Sequence, residues 1–137
     1  MTDKYSKLTN GTVISNESFI IDEPKVIEYL NSINDSSNNK LNSSSKNHIP
    51  PMCISALSLR GVISKLEIPG GTIHTSQELE FINIATIGEK LSCKANLVLN
   101  STRGDWRFLT ISMKVTNENG NTIMLGKSNI MLPMNNK

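Results

Sequence analysis

Two histidines, three arginines and two cysteines carry most of the chemistry open to this chain of 137 residues. His48 stands directly before Ile49-Pro50-Pro51, and His74 lies in a stretch of alternating polar and apolar residues. An imidazole at either place is a weak candidate for a general base, because that role needs a partner to hold its tautomer and take up charge. On a regular strand the acid nearest to His74 on the same face is Glu78, two same-face positions away, too far for direct contact. On the residues alone, His74 reads as a solvent or interface histidine and His48 as a loop histidine. Arg103 and Arg107 flank a short turn, where guanidinium groups could meet a phosphate or an acidic protein surface. Ordinary surface charge is the simpler reading for both, and for Arg60. Trp106 and Phe108 border Arg107 and suit either a protein interface or packing at a sheet edge. Cys53 and Cys93 make neither a disulfide framework nor a zinc site, and both are expected reduced.

Hydropathy patterning gives the elements that must position these groups. Residues 1–17 are polar and read as irregular, with a polar N-terminal segment 1–12. A short strand is expected at 18–22. Asp22-Glu23-Pro24 is a helix start, with a capping side chain, a proline in the first turn and acid at the positive end of the dipole. Val26, Ile27, Leu30 and Ile33 then mark one face of a helix over about 24–33. In residues 35–48, nine of fourteen are Ser or Asn and Leu41 is the lone apolar residue. Such a stretch buries too little surface to offset its ordering entropy, and it reads as a flexible loop.

Pro50-Pro51 stops that loop and starts a second helix over about 52–66. Met52, Ile54, Leu57, Leu59, Val62, Ile63 and Leu66 make it apolar nearly all round, as expected of a buried helix. Gly61 inside it costs helix stability, and points to a close approach by another backbone or a ligand. After Pro69-Gly70-Gly71 the period changes to two. Ile73, Thr75, Gln77, Leu79 and Phe81 fall on one face of a strand, with His74, Ser76, Glu78 and Glu80 on the other. Gln77 and Glu80 read as structural. Strands follow at about 91–99, 109–116 and 122–132, with turns at 100–105 and at Asn119-Gly120. The pattern predicts one α+β domain over 1–137, a single hotdog. Four long antiparallel strands in a meander form a curved sheet that wraps one buried apolar helix. A lone domain of this kind leaves sheet edges and apolar area uncovered, so a dimer is expected.

Composition narrows the classes of function. The chain carries 14 basic and 12 acidic residues, for a net charge of +2, with neither half a polycation. A large nucleic-acid footprint is therefore not indicated. The apolar runs are too short to cross a membrane, and the first residues lack the apolar stretch of a secretory signal. A cytoplasmic protein is expected.

The stretch Gly71-Thr-Ile-His-Thr-Ser-Gln-Glu-Leu-Glu-Phe81, followed by Ile87-Gly88-Glu89-Lys90-Leu91, resembles the MaoC-like dehydratase family. Ile49-Pro50-Pro51-Met52 leading into an apolar helix fits the same pattern, as does the turn from Arg103 to Thr110 and the close at Met131-Leu132-Pro133. The likeness covers roughly 12–133 and is greatest to the N-terminal, non-catalytic half of double-hotdog members. The resemblance implies (R)-specific enoyl-CoA hydratase or 3-hydroxyacyl-thioester dehydratase chemistry. The substrate would be a CoA or acyl-carrier thioester, with no metal or redox cofactor.

That chemistry uses an Asp and a His in the family's Asp-x-Asn-Pro-x-His motif. The motif is missing here: the nearest match is Asn47-His48-Ile49-Pro50-Pro51, and Ser43, five residues before His48, stands where the Asp would be. No catalytic residue carries over, and His48 and His74 remain the weak candidates. Met52, Leu57 and Gly61 would border the acyl tunnel, and Arg103 and Arg107 would meet the carrier's phosphates. The implied role is an acyl-thioester-binding subunit beside a catalytic MaoC-like hotdog partner. The alternatives are a homomeric hydratase or thioesterase, and a non-enzymatic acyl-CoA-binding scaffold.

Overall fold

The computed structural model describes residues 4–35 and 47–134. The expectation of a flexible loop at 35–48 lies almost wholly outside the described residues. The elements run β1 (Val13–Ile20), α1 (Glu23–Ser32), α2 (Pro51–Leu66), β2 (Ile73–Phe81), β3 (Lys90–Arg103), β4 (Trp106–Asn117) and β5 (Thr122–Pro133). A turn of 3-10 helix, Lys4–Lys7, precedes them.

The strands form one antiparallel sheet in the order β1-β3-β4-β5-β2, which is the hotdog arrangement of a sheet around a helix. Two sequence expectations change. Residues 13–20 form a full strand rather than irregular chain, with Phe19 opposite Leu91 and Ser15 opposite Ala95. The four late strands are not a simple meander. β3, β4 and β5 are, but β2 crosses over and pairs with the far edge of β5, Phe81 opposite Met124 and Ile73 opposite Met131. The expected loop at 100–105 also contracts to a tight turn at Gly104-Asp105, because Asn100 to Arg103 stay paired with β4. Gly104 takes φ +60°, which this turn requires.

α1 starts as its sequence dictates. The Asp22 carboxylate accepts from Lys25 N at 3.0 Å, and Pro24 sits in the first turn. Val26 and Leu30 are buried, whereas Ile27 and Ile33 are half exposed. α2 is buried along one face, through Cys53, Ile54, Ser58, Gly61, Val62 and Leu66. Its other side is open: Met52 is 52% and Ile63 54% exposed.

The core lies between α2 and the middle strands. Leu91, Cys93, Ala95 and Leu97 of β3 and Leu109, Ile111, Met113 and Val115 of β4 are each 4% exposed or less. α2 sits off-centre, with its closest sheet neighbour β1. At Gly61 a Cβ would stand 3.0 Å from Glu17 Oε2 and 3.3 Å from Ser15 Oγ. The absent side chain lets the edge strand approach the helix backbone. The opposite edge is left bare: Gln77 and Leu79 of β2 are half-buried, and Phe81 is 38% exposed. The space between α2 and the inner face of β2 therefore opens into a cavity near each end of the helix.

Candidate functional site

α2 spans roughly 24 Å at its ordinary rise per residue, and β2 returns alongside it. Two cavities that share no lining residue open between them, one near each end of α2, and each is lined by one histidine. The proximal cavity, about 240 Å³, lies at the start of α2. His48 and Pro51 form its mouth, and Ile54, Phe81, Ile82 and Ile84 its walls. His48 is placed by a short ladder. It bridges Thr86, Ile49 N donates to Ala85 O at 2.9 Å, and Ile87 N donates to Asn47 O at 2.7 Å. The start of α2 has no side-chain cap, and Cys53 N closes only a tight turn onto Pro50 O at 3.0 Å. Pro50 and Pro51 carry no N–H and Cys53 N is engaged, so Met52 N is the first backbone donor this end could offer a carbonyl oxygen.

The distal cavity, about 340 Å³, lies under the second half of α2. Leu59, Val62 and Ile63 face Ile111, Ser128 and Ile130 across it, and His74 stands in its wall. This corrects the sequence assignment of His74 to the outer face. A β-bulge between His74 and Ser76 shifts the register, so His74 pairs with Ile130 and Gln77 with Ser128. Both partners face the core side, so His74 and Gln77 share the inner face.

Among the described residues, no carboxylate is hydrogen-bonded or ion-paired to either imidazole; the ion pair present there, Lys4 to Glu67, lies elsewhere. No cluster of three His, Cys, Asp or Glu side chains able to hold a metal occurs among them either. The thiols are not nucleophiles. Burial pushes Cys53 up, and burial also pushes Cys93 up, partly offset by its contact to the Ser58 carbonyl and with a smaller push from Glu17, so both favour the protonated thiol.

The other sequence candidates are scattered. None of the three α2 candidates lines either cavity: Leu57 is half-buried against the core, Met52 is exposed near the start of the helix, and Gly61 faces β1. Arg103 is exposed and lines a shallow hollow on the outer face of the sheet with Phe108 and Thr110. Arg107 is not a surface group at all. It is 7% exposed, and its Nη1 donates to Asn100 Oδ1 at 2.6 Å. Asn100 in turn donates to the carbonyls of Tyr5 and Leu8, so Arg107 anchors the N-terminal segment. The reading of Arg107 as an exposed phosphate contact gives way to this. Trp106 and Phe108 are half-buried.

Sequence reasoning missed the loop after β2, whose exposed Ile82 (46%) and Ile84 (66%) wall the proximal cavity, and missed Ser128. The apolar residues between Phe81 and Ile87 were the available signal for the first; nothing in the local pattern marks the second.

A comparison with curated proteins gives no sequence match. Solved structures match over most of the chain. The R-hydratase PhaJ1 from Pseudomonas aeruginosa, in its unliganded form, is 19% identical with a TM-score of 0.77, over 95% of this chain and 85% of that one. The (R)-hydratase from A. caviae, involved in PHA biosynthesis, is 16% identical with a TM-score of 0.76, over 93% and 98%. A chain of the HadBC (3R-hydroxyacyl-ACP dehydratase) complex from Mycobacterium tuberculosis is 13% identical with a TM-score of 0.68, over 89% and 96%. At these identities the likeness establishes the fold. The family description "FAS1-like, dehydratase domain region" matches residues 9–125. A match over that much of the chain, on a five-stranded sheet wrapped around α2, makes this protein a member of the FAS1-like dehydratase-region family, with the MaoC-like hotdog fold.

Proposed function

We propose that the chain is an acyl-thioester-binding subunit of an (R)-specific enoyl hydratase or 3-hydroxyacyl dehydratase, working with a catalytic hotdog partner. The observation that carries this reading is the separation of its functional parts. The chain has the family's dehydratase fold and two largely apolar cavities between α2 and β2, one near each end of the helix. Yet its two histidines lie in different cavities, each without a carboxylate partner among the described residues. Hydration needs a base for water and an acid for the α-carbon in one place. Here the thioester would lie with its carbonyl at the start of α2 and its acyl chain along β2. An Asp and a His from the second chain would do the proton transfers. The likeness to a HadBC chain fits a two-chain enzyme of this type, and the exposed apolar side of α2 offers area for it. CoA and acyl carrier protein are both suitable carriers. The unreactive free thiols fit a reducing cytoplasm.

The test is reconstitution. A subunit bearing Asp-x-Asn-Pro-x-His, co-expressed with this chain, is expected to co-purify and to hydrate a trans-2-enoyl-CoA faster or over a wider range of chain lengths than it does by itself. Activity and chain-length range that do not change when this chain is added would overturn the proposal. A second reading is favoured by His48 alone: it stands at the mouth of an apolar cavity beside the start of α2, as a homomeric hydratase or thioesterase would require.

A further inference from the structure

β2 is an end strand of the sheet, paired with β5 on one side only. Among the described residues nothing pairs with its other side, so every second N–H and C=O along it lacks a sheet partner. The outer face of this edge is acidic. Glu78 and Glu80 are exposed and lie two positions apart, on the face opposite Gln77 and Leu79. They rim a hollow of about 190 Å³ whose other walls are Leu79, Leu125, Gly126 and Lys127. Lys127 stands across from Glu78 on β5, yet neither carboxylate has an ion-pair partner among the described residues. One lysine against two glutamates leaves the rim net negative.

This pattern refuses a second copy of the chain. Antiparallel pairing of β2 with itself sets residues of the same face opposite each other. Centring on Glu78 or on Glu80 opposes that carboxylate to its own copy, and centring on Leu79 opposes Glu78 to Glu80. Centring on Gln77 leaves the two Glu78 side chains diagonal and runs the pairing into the bulge between His74 and Ser76. Like charges so placed are destabilising. The other edge of the sheet is no better suited: β1, Val13–Ile20, carries Glu17 and no lysine or arginine. Neither edge of a second copy therefore brings basic charge to Glu78 and Glu80.

Resting on the subunit reading above, we infer that the free edge of β2 docks the edge strand of a different protein, one with Lys or Arg at two alternate positions that face Glu78 and Glu80. The hollow seats one such side chain, its stem on Leu125 and its charge between the carboxylates. Ile73 and Phe81, 48% and 38% exposed, flank the acidic pair with apolar area. Phe81 also lines the proximal cavity, so the docked strand lies beside that cavity and brings the partner to it.

The chain itself supplies the probe, because the double variant Glu78→Lys/Glu80→Lys presents the basic edge that the wild type lacks. Light scattering on the wild type, the variant and their equimolar mixture is combined with amide hydrogen exchange across Ile73–Phe81. The expected result is roughly tenfold tighter association in the mixture than in either chain alone, weakened by salt, with β2 exchange slowed only in the mixture. Glu80→Lys alone, which leaves Glu78 facing Lys127, should give the same ordering with a smaller difference. A mixture no more associated than its parts overturns the inference, as does a wild-type dimer in which β2 exchange is already slow. The Asp/His-bearing subunit of the reconstitution should bind the wild type and lose roughly tenfold in affinity for the double variant. Equal affinity for both overturns the inference and leaves the subunit reading standing. Binding to neither overturns the subunit reading, while the mixture still judges the edge.

Discussion

Tyr5 spends its hydroxyl on the end of α2, donating to Leu66 O at 2.8 Å and to Glu67 O at 3.1 Å. These are carbonyls that a helix end leaves without partners. The ring itself is 8% exposed, so the N-terminal segment is both a cap and part of the core. Tyr5→Phe is expected to cost about 1 kcal/mol, a few degrees in Tm, read by thermal unfolding. Lys4 adds an exposed contact to Glu67 at 2.7 Å, which raises the lysine pKa and lowers that of the carboxyl. The lowered carboxyl contributes above its ordinary range and loses its contribution as pH falls through its folded value. The raised ammonium contributes below its ordinary range and loses it as pH rises through its folded value. Lys4→Met should therefore shift Tm slightly at neutral pH and not at all in strong acid. The cysteines supply a different test. Buried thiols held protonated should react with a thiol reagent at neutral pH far more slowly in the native protein than after unfolding. Equal rates would show that α2 does not hold them as described.

At the scale of elements, Gly61 decides how close β1 comes to α2. Alanine there gains about 1 kcal/mol of helix propensity and meets the mobile end of the Glu17 side chain, which is exposed and can swing away. Gly61→Ala should thus leave stability nearly unchanged. Gly61→Leu must also displace Ser15, 5% exposed, and should cost roughly 1–3 kcal/mol in denaturant unfolding. The same contact explains why only the end of β1 was legible, as the short strand expected at 18–22. Of its inward positions Ser15, Glu17 and Phe19, the first two are polar and lie near α2 at Gly61, so no apolar alternation marks the strand's first half. β3 to β5 were legible because their inner faces are mostly apolar and buried, with Ser128 the polar exception on β5. α2 was legible from its density of apolar residues, although its open side was not. The face of His74 was not legible, since one bulged residue reverses every assignment before it and leaves no trace in composition. The β2–β5 pairing was equally invisible. The connection from β2 to β3 is spent bridging Asn47, Ile49 and Ile21 instead of turning tightly.

For the whole molecule, the sequence carried the family and the fold while dispersing the site. His48 and His74 lie 26 positions apart in the chain and in two different cavities, and Arg107 turns inward to hold the N-terminal segment. The motif likeness could not foresee this, because it follows strand edges and turns rather than groove contacts. No described helix is long and apolar enough to cross a membrane. The open side of α2 and the edge strand β2 each leave apolar residues uncovered, among them Met52, Ile63, Ile73 and Phe81. The central claim is that this chain binds acyl thioesters without performing their hydration. It is tested most directly by adding the chain, purified by itself, to a short trans-2-enoyl-CoA and following the conjugated-thioester absorbance. The account predicts no loss of absorbance above the uncatalysed rate. Turnover by this chain alone, abolished by His48→Ala or His74→Ala, would contradict it.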